Sequence, residues 1–317
     1  MKIAITGGSG FIGTRLIENL EADGHQIVII DIAHHENPVD ILDQQKLIDA
    51  MAGCEAIYHL AAEHRDDVSP RQKYYDVNGI GAKNIALAAT QNNIHQIVFT
   101  SSVAVYPLDS DYADETAVPN PFNDYGKSKL QGEEYLKEWA QEQSNNHLVI
   151  VRPVVVFGEN NRGNVYTLIR QIVSGKFIMI GRGENKKSMA YVGNIADFLK
   201  THLKLAANID LPNDNAYEVF NYADKPDYKT NDLITVIYDA LGKKPHRFRL
   251  PYIIGLGMGF VFDGLAKLSG RKLPISKVRI QKFCADTTIN ATKAHQDFEA
   301  QYSLHDGVKR MIEHDFK

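Results

Sequence analysis

Lys2–Gly13, KIAITGGSGFIG, is the stretch from which the rest of the chain can be read. Ile3, Ala4 and Ile5 form a short apolar run of the kind a buried parallel strand requires. Gly7, Gly10 and Gly13 follow at three-residue spacing, while Phe11, Ile12, Leu16, Ile17 and Leu20 recur at helical intervals. Strand, glycine turn and helix in that order form the context of a dinucleotide-binding turn. The glycines turn the chain tightly, admit a pyrophosphate against bare backbone and bring the helix close to the strand. The helix N-terminus then offers free N–H groups to phosphate. Gly7, Gly10, Phe11, Ile12 and Gly13 are the expected cofactor contacts of this turn.

Outward from the turn, Val28, Ile29 and Ile30 predict a second strand, and Asp31 ends it 18 residues after Gly13. A carboxylate there accepts hydrogen bonds from the adenosine ribose hydroxyls and repels a 2′-phosphate, which favours NAD over NADP. A glycine triplet alone also serves caps and tight bends. The acid after the second strand is what separates a cofactor site from a structural turn.

At 317 residues the chain exceeds one ordinary core, so a large α/β domain with a smaller lobe is expected. Its hydrophobic fraction of 44% and charged fraction of 23% are those of a globular protein. A net charge of −4 gives no polyelectrolyte reason to expect nucleic acid or an acidic membrane as partner. Cys54 and Cys284 fit no metal-ligand spacing, so no metal is expected, and the pair suits a reducing compartment. The N-terminus runs directly into a strand with no room for a signal peptide, making the cytoplasm the expected location. The most apolar stretch, Leu250 to Phe262, holds three glycines and falls short of the ~20 residues that cross a bilayer. It reads as a buried or groove-lining helix in preference to a membrane-contacting one.

Along the chain, Ala56–Leu60, Gln96–Ser101 and Leu148–Val156 read as strands, the last interrupted by Pro153. Helices are expected over Leu47–Ala52, Tyr74–Gln91 and Tyr125–Gln141, and an acidic loop over Asp109–Asn123. Alternation at this spacing means a parallel, doubly wound sheet. Beyond it, Asn164–Gly175 reads as a helix, Phe177–Gly181 as a short strand and Tyr191–Leu205 as a loop entering a helix. Tyr217–Tyr222 is apolar enough to rejoin the main sheet, and helices dominate from Lys229 onward. The expected division is a dinucleotide-binding domain over 1–158, partly rejoined by 190–225, and a smaller, mostly helical substrate-binding lobe over 159–317.

Tyr125 and Lys129 in YGKSK lie four residues apart and share a helix face. A tyrosine hydroxyl titrates near ~10, and bringing it to about 7 takes roughly 4 kcal/mol of preference for the phenolate. One ammonium at ~4 Å in an effective dielectric of ~20 supplies about that much, and the charge of an oxidised nicotinamide adds to it. Ser102 in FTSSVAVY sits where it can bond a substrate hydroxyl and align it with Tyr125. With fifteen tyrosines in the chain, one Tyr-x-x-x-Lys arises by chance as a solvated pair, and a Ser pair at a strand end is ordinary turn chemistry. The order of glycine turn, acid, Ser strand end and Tyr/Lys helix, on elements whose carboxyl ends converge, favours catalysis.

These stretches resemble the extended short-chain dehydrogenases/reductases, in their NAD-dependent nucleotide-sugar epimerase/dehydratase branch. The resemblance is carried by TGGSGFIG (6–13), Asp31, DILD (40–43), HLAA (59–62), Asn78 in VNGIGAKN, TSSVAVY (100–106), YGKSK (125–129) and RPVVVFG (152–158). It implies a Rossmann-type α/β fold and NAD as cofactor. It implies that Asp40 and Ile41 flank the adenine, that Leu60, Ala61 and Ala62 line the cofactor path, and that Asn78 orients the active-site helix. Lys129 would also hold the nicotinamide ribose. Asn164 and Val165 would open the helix over the nucleotide base, and Lys187 would contact the diphosphate, with Arg182 a weaker candidate. The branch also implies a homodimer through the helices at 74–91 and 126–141.

Three departures narrow the function, one being that NKKSMAYVGNIADF (185–198) and the glycine-rich helix after Leu250 are similar to relatives that reduce a 4-keto sugar or oxidise other alcohols. Sugar 4,6-dehydratases carry an Asp-Glu pair directly after the catalytic hydroxyl; here Val103 and Ala104 leave no acid/base pair to expel water. Many epimerases of the branch carry an Asn where this chain has Val155. The leading expectation is an NAD-dependent 4-epimerase of a nucleotide sugar, UDP-linked for preference, working through a transient 4-keto sugar. A one-way reductase or dehydrogenase of a 4-keto nucleotide sugar is the alternative, and a non-catalytic dinucleotide sensor would not need the Ser102/Tyr125/Lys129 set.

Overall fold

β1 (Lys2–Thr6) lies between β2 (Gln26–Ile30) and β3 (Ala56–His59), and the sheet continues through β4 (Gln96–Thr100) and β5 (His147–Pro153) to β9 (Tyr217–Tyr222). Every pairing in it is parallel. The computed structural model describes residues 1–65, 68–108, 112–203, 216–245, 248–269 and 277–317, with backbone alone at 263–269 and 278. The expected loop over 109–123 is therefore seen only from 112 onward, and the helix expected to reach Leu205 only to residue 203. Contacts divide the chain into two units: Met1–Val156, Ala190–Ala223 and Ile289–Gln301, then Phe157–Met189, Asp224–Thr288 and Tyr302–Lys317.

In the first unit the period-two alternation of each strand feeds two cores. Ile3 and Ile5 pack with Leu16, Ile17 and Leu20 of α1 (Phe11–Ala22) and with Ile195, Phe198 and Leu199 of α7 (Val192–Thr201). Ala4 faces the other side, with Leu47 of α2 (Gln44–Ala50), Ile85 of α4 (Gly81–Gln91), and Leu136 and Trp139 of α5 (Asp124–Glu142). Helices on both faces bury both sides of the sheet, which is why its strands are continuous apolar runs. Asp43 and Asn123 cap α2 and α5, accepting from the backbone N–H of Lys46 and Gly126.

The single helix expected over Tyr74–Gln91 is three pieces: α3 (Gln72–Tyr74), a π-helical stretch at Tyr75–Ile80, and α4. Apolar spacing cannot register the extra residue of a π turn. The turn carries Asn78 inward to 1% exposure. Pro153 ends β5, and β6 (Val155–Phe157) resumes after Val154, as the interruption predicts.

The second unit holds α6 (Asn164–Val173), the paired two-residue strands β7 (Met179–Ile180) and β11 (Arg249–Leu250), α8 (Thr230–Ala240), α9 (Tyr252–Ser269), α10 (Lys277–Cys284) and α11 (Leu304–Asp315). A Ser303/Asp306 capping box starts α11. Two strands were not expected: β8 (Lys186–Tyr191), in a stretch to which the sequence reading gave no element, and β10 (Asp224–Lys229), which pairs with it antiparallel. KKSMAY and DKPDYK carry charges and a proline, so neither shows strand alternation. The strand expected over Phe177–Gly181 shortens to β7. The helix after Leu250 also differs from its reading: between Pro251 and Val261 only Gly255 and Gly259 are buried.

Candidate active site

The strand order reverses beside β1, with β2 on one side and β3 on the other, and the crevice at such a switch point opens at the strands' carboxyl ends. The glycine turn stands there. Gly7 has φ +70°, and a Cβ on it would come within 2.7 Å of the Ala61 backbone nitrogen. A Cβ on Gly10 would lie 3.0 Å from the Gly7 carbonyl, and one on Gly13 would strike that same oxygen. Gly10 caps α1 in extended conformation with no side-chain hydrogen bond. The cradle is thus bare backbone facing the positive end of a helix, which fits a dinucleotide pyrophosphate.

Asp31 follows β2 directly. Its Oδ2 accepts from the Ser9 N–H at 3.1 Å and its Oδ1 from the Ala33 N–H at 2.8 Å, tying the acid to the glycine turn. Asp40 accepts from the Leu42 N–H at 2.9 Å, and buried Ile41 gives its carbonyl to Asn84 at 2.9 Å. Leu60, Ala61 and Ala62 are half-buried beyond β3, with Ala61 against Gly7. Asn78 donates to Ser128 Oγ at 2.9 Å and exchanges hydrogen bonds with the Glu63 backbone at 2.9 and 3.0 Å. It joins the π turn to the middle of YGKSK.

Ser102 caps a one-turn 3₁₀ helix at Val103–Val105, its Oγ accepting from the Ala104 N–H at 3.1 Å. Its hydroxyl is also hydrogen-bonded to the Tyr125 side chain. Burial raises the Tyr125 phenol above its usual range, and the Ser102 bond opposes that. Lys129 is 1% exposed, its Nζ 4.3 Å from the Phe99 ring centroid. Burial lowers it to about 7, against the pull of Glu133. Serine and tyrosine are brought into contact, then, and the lysine is enclosed one turn along the same helix.

Several participants escaped the sequence reading. Gly126 follows Tyr125, and a Cβ there would strike the Ala104 carbonyl and lie 2.8 Å from Pro121. Only glycine lets the start of α5 press against the turn that carries Ser102. Glu133 and Arg152 form a buried pair, with Nη2 to Oε2 at 2.6 Å and Nε to Oε1 at 2.8 Å. Burial acts to raise Glu133, and Arg152 outweighs it to hold the carboxyl low. Arg152 also reaches Tyr106, whose hydroxyl bonds Asn221 at 2.9 Å. The glycine after the tyrosine was a visible signal. No local pattern announces the ion pair.

The sequence profile of the NAD dependent epimerase/dehydratase family matches residues 3–219. The chain belongs to that family. It is an NAD-dependent 4-epimerase of the extended short-chain dehydrogenase/reductase type, and NAD is its cofactor. An Escherichia coli O157:H7 protein named N-acetyl-alpha-D-glucosaminyl-diphospho-ditrans,octacis-undecaprenol 4-epimerase is 46% identical over 99% of this chain and 95% of its own. The UDP-glucose 4-epimerase of Vibrio cholerae is 29% identical over 79% of each chain. Among solved structures, Bacillus cereus UDP-glucuronic acid 4-epimerase in complex with NAD superposes at TM-score 0.75, with 21% identity and 99% and 98% of the two chains covered. That likeness is one of fold.

The epimerase's remaining candidates lie in the second unit. Asn164 opens α6 and is exposed, whereas Val165 is buried. Lys187 stands on β8, its Nζ donating to the carbonyls of Lys282 at 2.8 Å and Ala285 at 2.6 Å. Burial lowers its pKa. Arg182 is exposed, and its carbonyl accepts from Asn231 and Arg249. Among the described residues no His/Cys/Asp/Glu cluster is arranged to hold a metal.

Proposed function

We propose that this epimerase inverts C4 of an N-acetylglucosamine-type sugar joined through a diphosphate to a polyprenol. The observation that carries the proposal is the 46% identity, over almost the full length of both chains, to the E. coli protein named for that substrate. A nucleotide sugar, UDP-linked for preference, is the second reading; the Vibrio enzyme at 29% identity favours it. Both substrates present the same glycosyl diphosphate to the same residues.

Tyr125 takes the proton of the C4 hydroxyl and later returns it, while Ser102 holds that hydroxyl in line. NAD supplies the reversible acceptor for the C4 hydride. Burial disfavours the Tyr125 phenolate and the Lys129 ammonium singly, but each charge stabilises the other when both form. The 4-keto sugar turns over between proton removal and return. Gly7, Gly10, Phe11, Ile12 and Gly13 hold the pyrophosphate, Asp31 the adenosine ribose, Asp40 and Ile41 the adenine side, and Leu60–Ala62 the cofactor path. Lys129 also holds the nicotinamide ribose, and Asn78 fixes the helix that carries it. We assign Asn164 and Val165 to the carrier side of the substrate. Lys187 contacts the diphosphate with the third proton of its ammonium, since two are already given to carbonyls. Val103 and Ala104 supply no acid/base pair, so water is not eliminated.

The test offers purified protein N-acetylglucosamine-diphospho-polyprenol in detergent and, separately, UDP-N-acetylglucosamine, without added NADH, and reads C4 stereochemistry by NMR. Inversion of the polyprenyl substrate is expected. Turnover of the UDP-sugar alone would transfer the assignment to the second reading, and a stoichiometric need for NADH would make the protein a reductase. Tyr125→Phe should lower turnover by about 100-fold or more while leaving NAD bound.

A homodimer through the helices at 74–91 and 126–141 is part of the same proposal; Ile80 and Leu87 support it, being exposed at 40% and 38%. Cytoplasmic placement is likewise proposed, in keeping with two unpaired cysteines.

A further inference from the structure

α9 packs by its glycines. A Cβ on Gly255 would meet Ile180 at 2.7 Å, and one on Gly259 would meet the Lys277 backbone at 2.8 Å and Ile280 at 3.0 Å. The two positions lie one helical turn apart and draw α9 onto β7 and α10. The opposite face is left in the open. Ile253 is 82% exposed, Phe260 71% and Val261 59%, and a Cβ on Gly257 between them would meet nothing. Ile254 and Met258 widen the stripe. The register of β7 with β11 sets Ile178 beside Phe248, and both are exposed as well. Scattered exposed apolar residues need no explanation, but a run this dense is a contact surface.

Charge identifies what it contacts. The described side chains of α9 carry no charge, and α10, packed against it, presents exposed Lys277, Arg279 and Lys282 with no acidic residue. Exposed Lys243, Lys244 and Arg249 precede α9 in the chain. Apolar side chains on a helix whose described residues are not long and apolar enough to cross a membrane, with cations on the neighbouring helix, suit the surface of an anionic bilayer: the apolar groups enter it and the cations meet its headgroups. We propose that the outer face of α9, with the cations of α10, docks the enzyme on an anionic lipid bilayer. This deepens the proposed function, since a polyprenyl diphosphate resides in a bilayer, yet the docking is measured without any substrate.

The test is flotation of the full-length protein with vesicles of phosphatidylcholine containing phosphatidylglycerol, compared with phosphatidylcholine alone. Wild-type protein should float with the anionic vesicles and release in high salt. The triple variant Ile253→Ser, Phe260→Ser, Val261→Ser should lose about tenfold or more of the bound fraction. It should retain its activity on water-soluble UDP-N-acetylglucosamine if the wild type has any, and otherwise its NAD affinity. Lys277→Gln, Arg279→Gln and Lys282→Gln together should abolish the preference for anionic vesicles. Wild-type protein left in the supernatant, or a triple variant that floats equally well, would overturn the docking. So would a triple variant that dissociates a wild-type dimer in light scattering, because the face would then cover a second copy. Failure of the polyprenyl substrate assay with vesicle binding intact would discard the substrate reading and keep the docking surface.

Discussion

Asp31 shows how much a single residue can be asked to do. Its two oxygens already accept backbone hydrogen bonds from Ser9 and Ala33, so the acid shapes the glycine turn, and the proposed contact with the ribose adds a second duty. Asp31→Ala should weaken NAD by about 10- to 100-fold, as a hydrogen bond to a charged group is worth ~1.5–3 kcal/mol. It should affect NADP much less, because the repulsion of a 2′-phosphate goes with the carboxylate. Calorimetric titration with both cofactors measures the ratio; an unchanged ratio would mean that Asp31 only braces the turn. The positions of Asp31, Ser102, Tyr125 and Lys129 were legible because each sits at a strand end or a helix spacing that local rules recognise. The Glu133–Arg152 pair was not, since its partners come from different elements and meet only in the folded core.

At the scale of elements, the decisive approach is that of α5 to the 3₁₀ turn at Val103–Val105. Gly126→Ala would drive a methyl into the Ala104 carbonyl, and because the obstruction is backbone, the start of α5 or the turn must move. The Ser102–Tyr125 hydrogen bond would be broken or lengthened. The expected result is a fall in kcat of about 10- to 100-fold with NAD affinity preserved, since a misplacement of ~1 Å costs that much. Steady-state kinetics beside NAD titration checks it. The glycine turn, the alternating strands and α5 could be read from periodicity. β8 and β10 could not, because their charged sequences become strands only by pairing with partners distant in the chain, β10 with β8 and β8 with β6. The exposed face of α9 was misread for a related reason: apolarity says that a helix avoids water, not which surface relieves it.

For the whole molecule, buried titratable groups set the response to acid. Burial, helped by the charge of Lys129, lowers His59 to about 3. Between its ordinary value near ~6.5 and about 3, the unfolded chain takes up a proton that the folded chain refuses. Stability must therefore fall as pH drops through that window. Glu63, held at about 2 chiefly by its hydrogen bond to Arg65, adds stability present above its ordinary value and lost on acidification towards 2. Lys129, at about 7, makes stability rise between pH 7 and its ordinary value near ~10.4. Urea midpoints followed by the fluorescence of Trp139, the chain's one tryptophan and 2% exposed, should decline from pH 6.5 to 4, and His59→Gln should flatten that decline. An equal slope in the variant would remove His59 from the account. The sequence by itself determined the doubly wound sheet, the glycine turn and the order of the candidate catalytic groups, because short-range sterics and apolar period act along the chain. Tertiary structure alone decided which helix face stays in water, which glycines are obligatory and which charges lose their solvent, because those depend on atoms that are neighbours in space and distant in sequence.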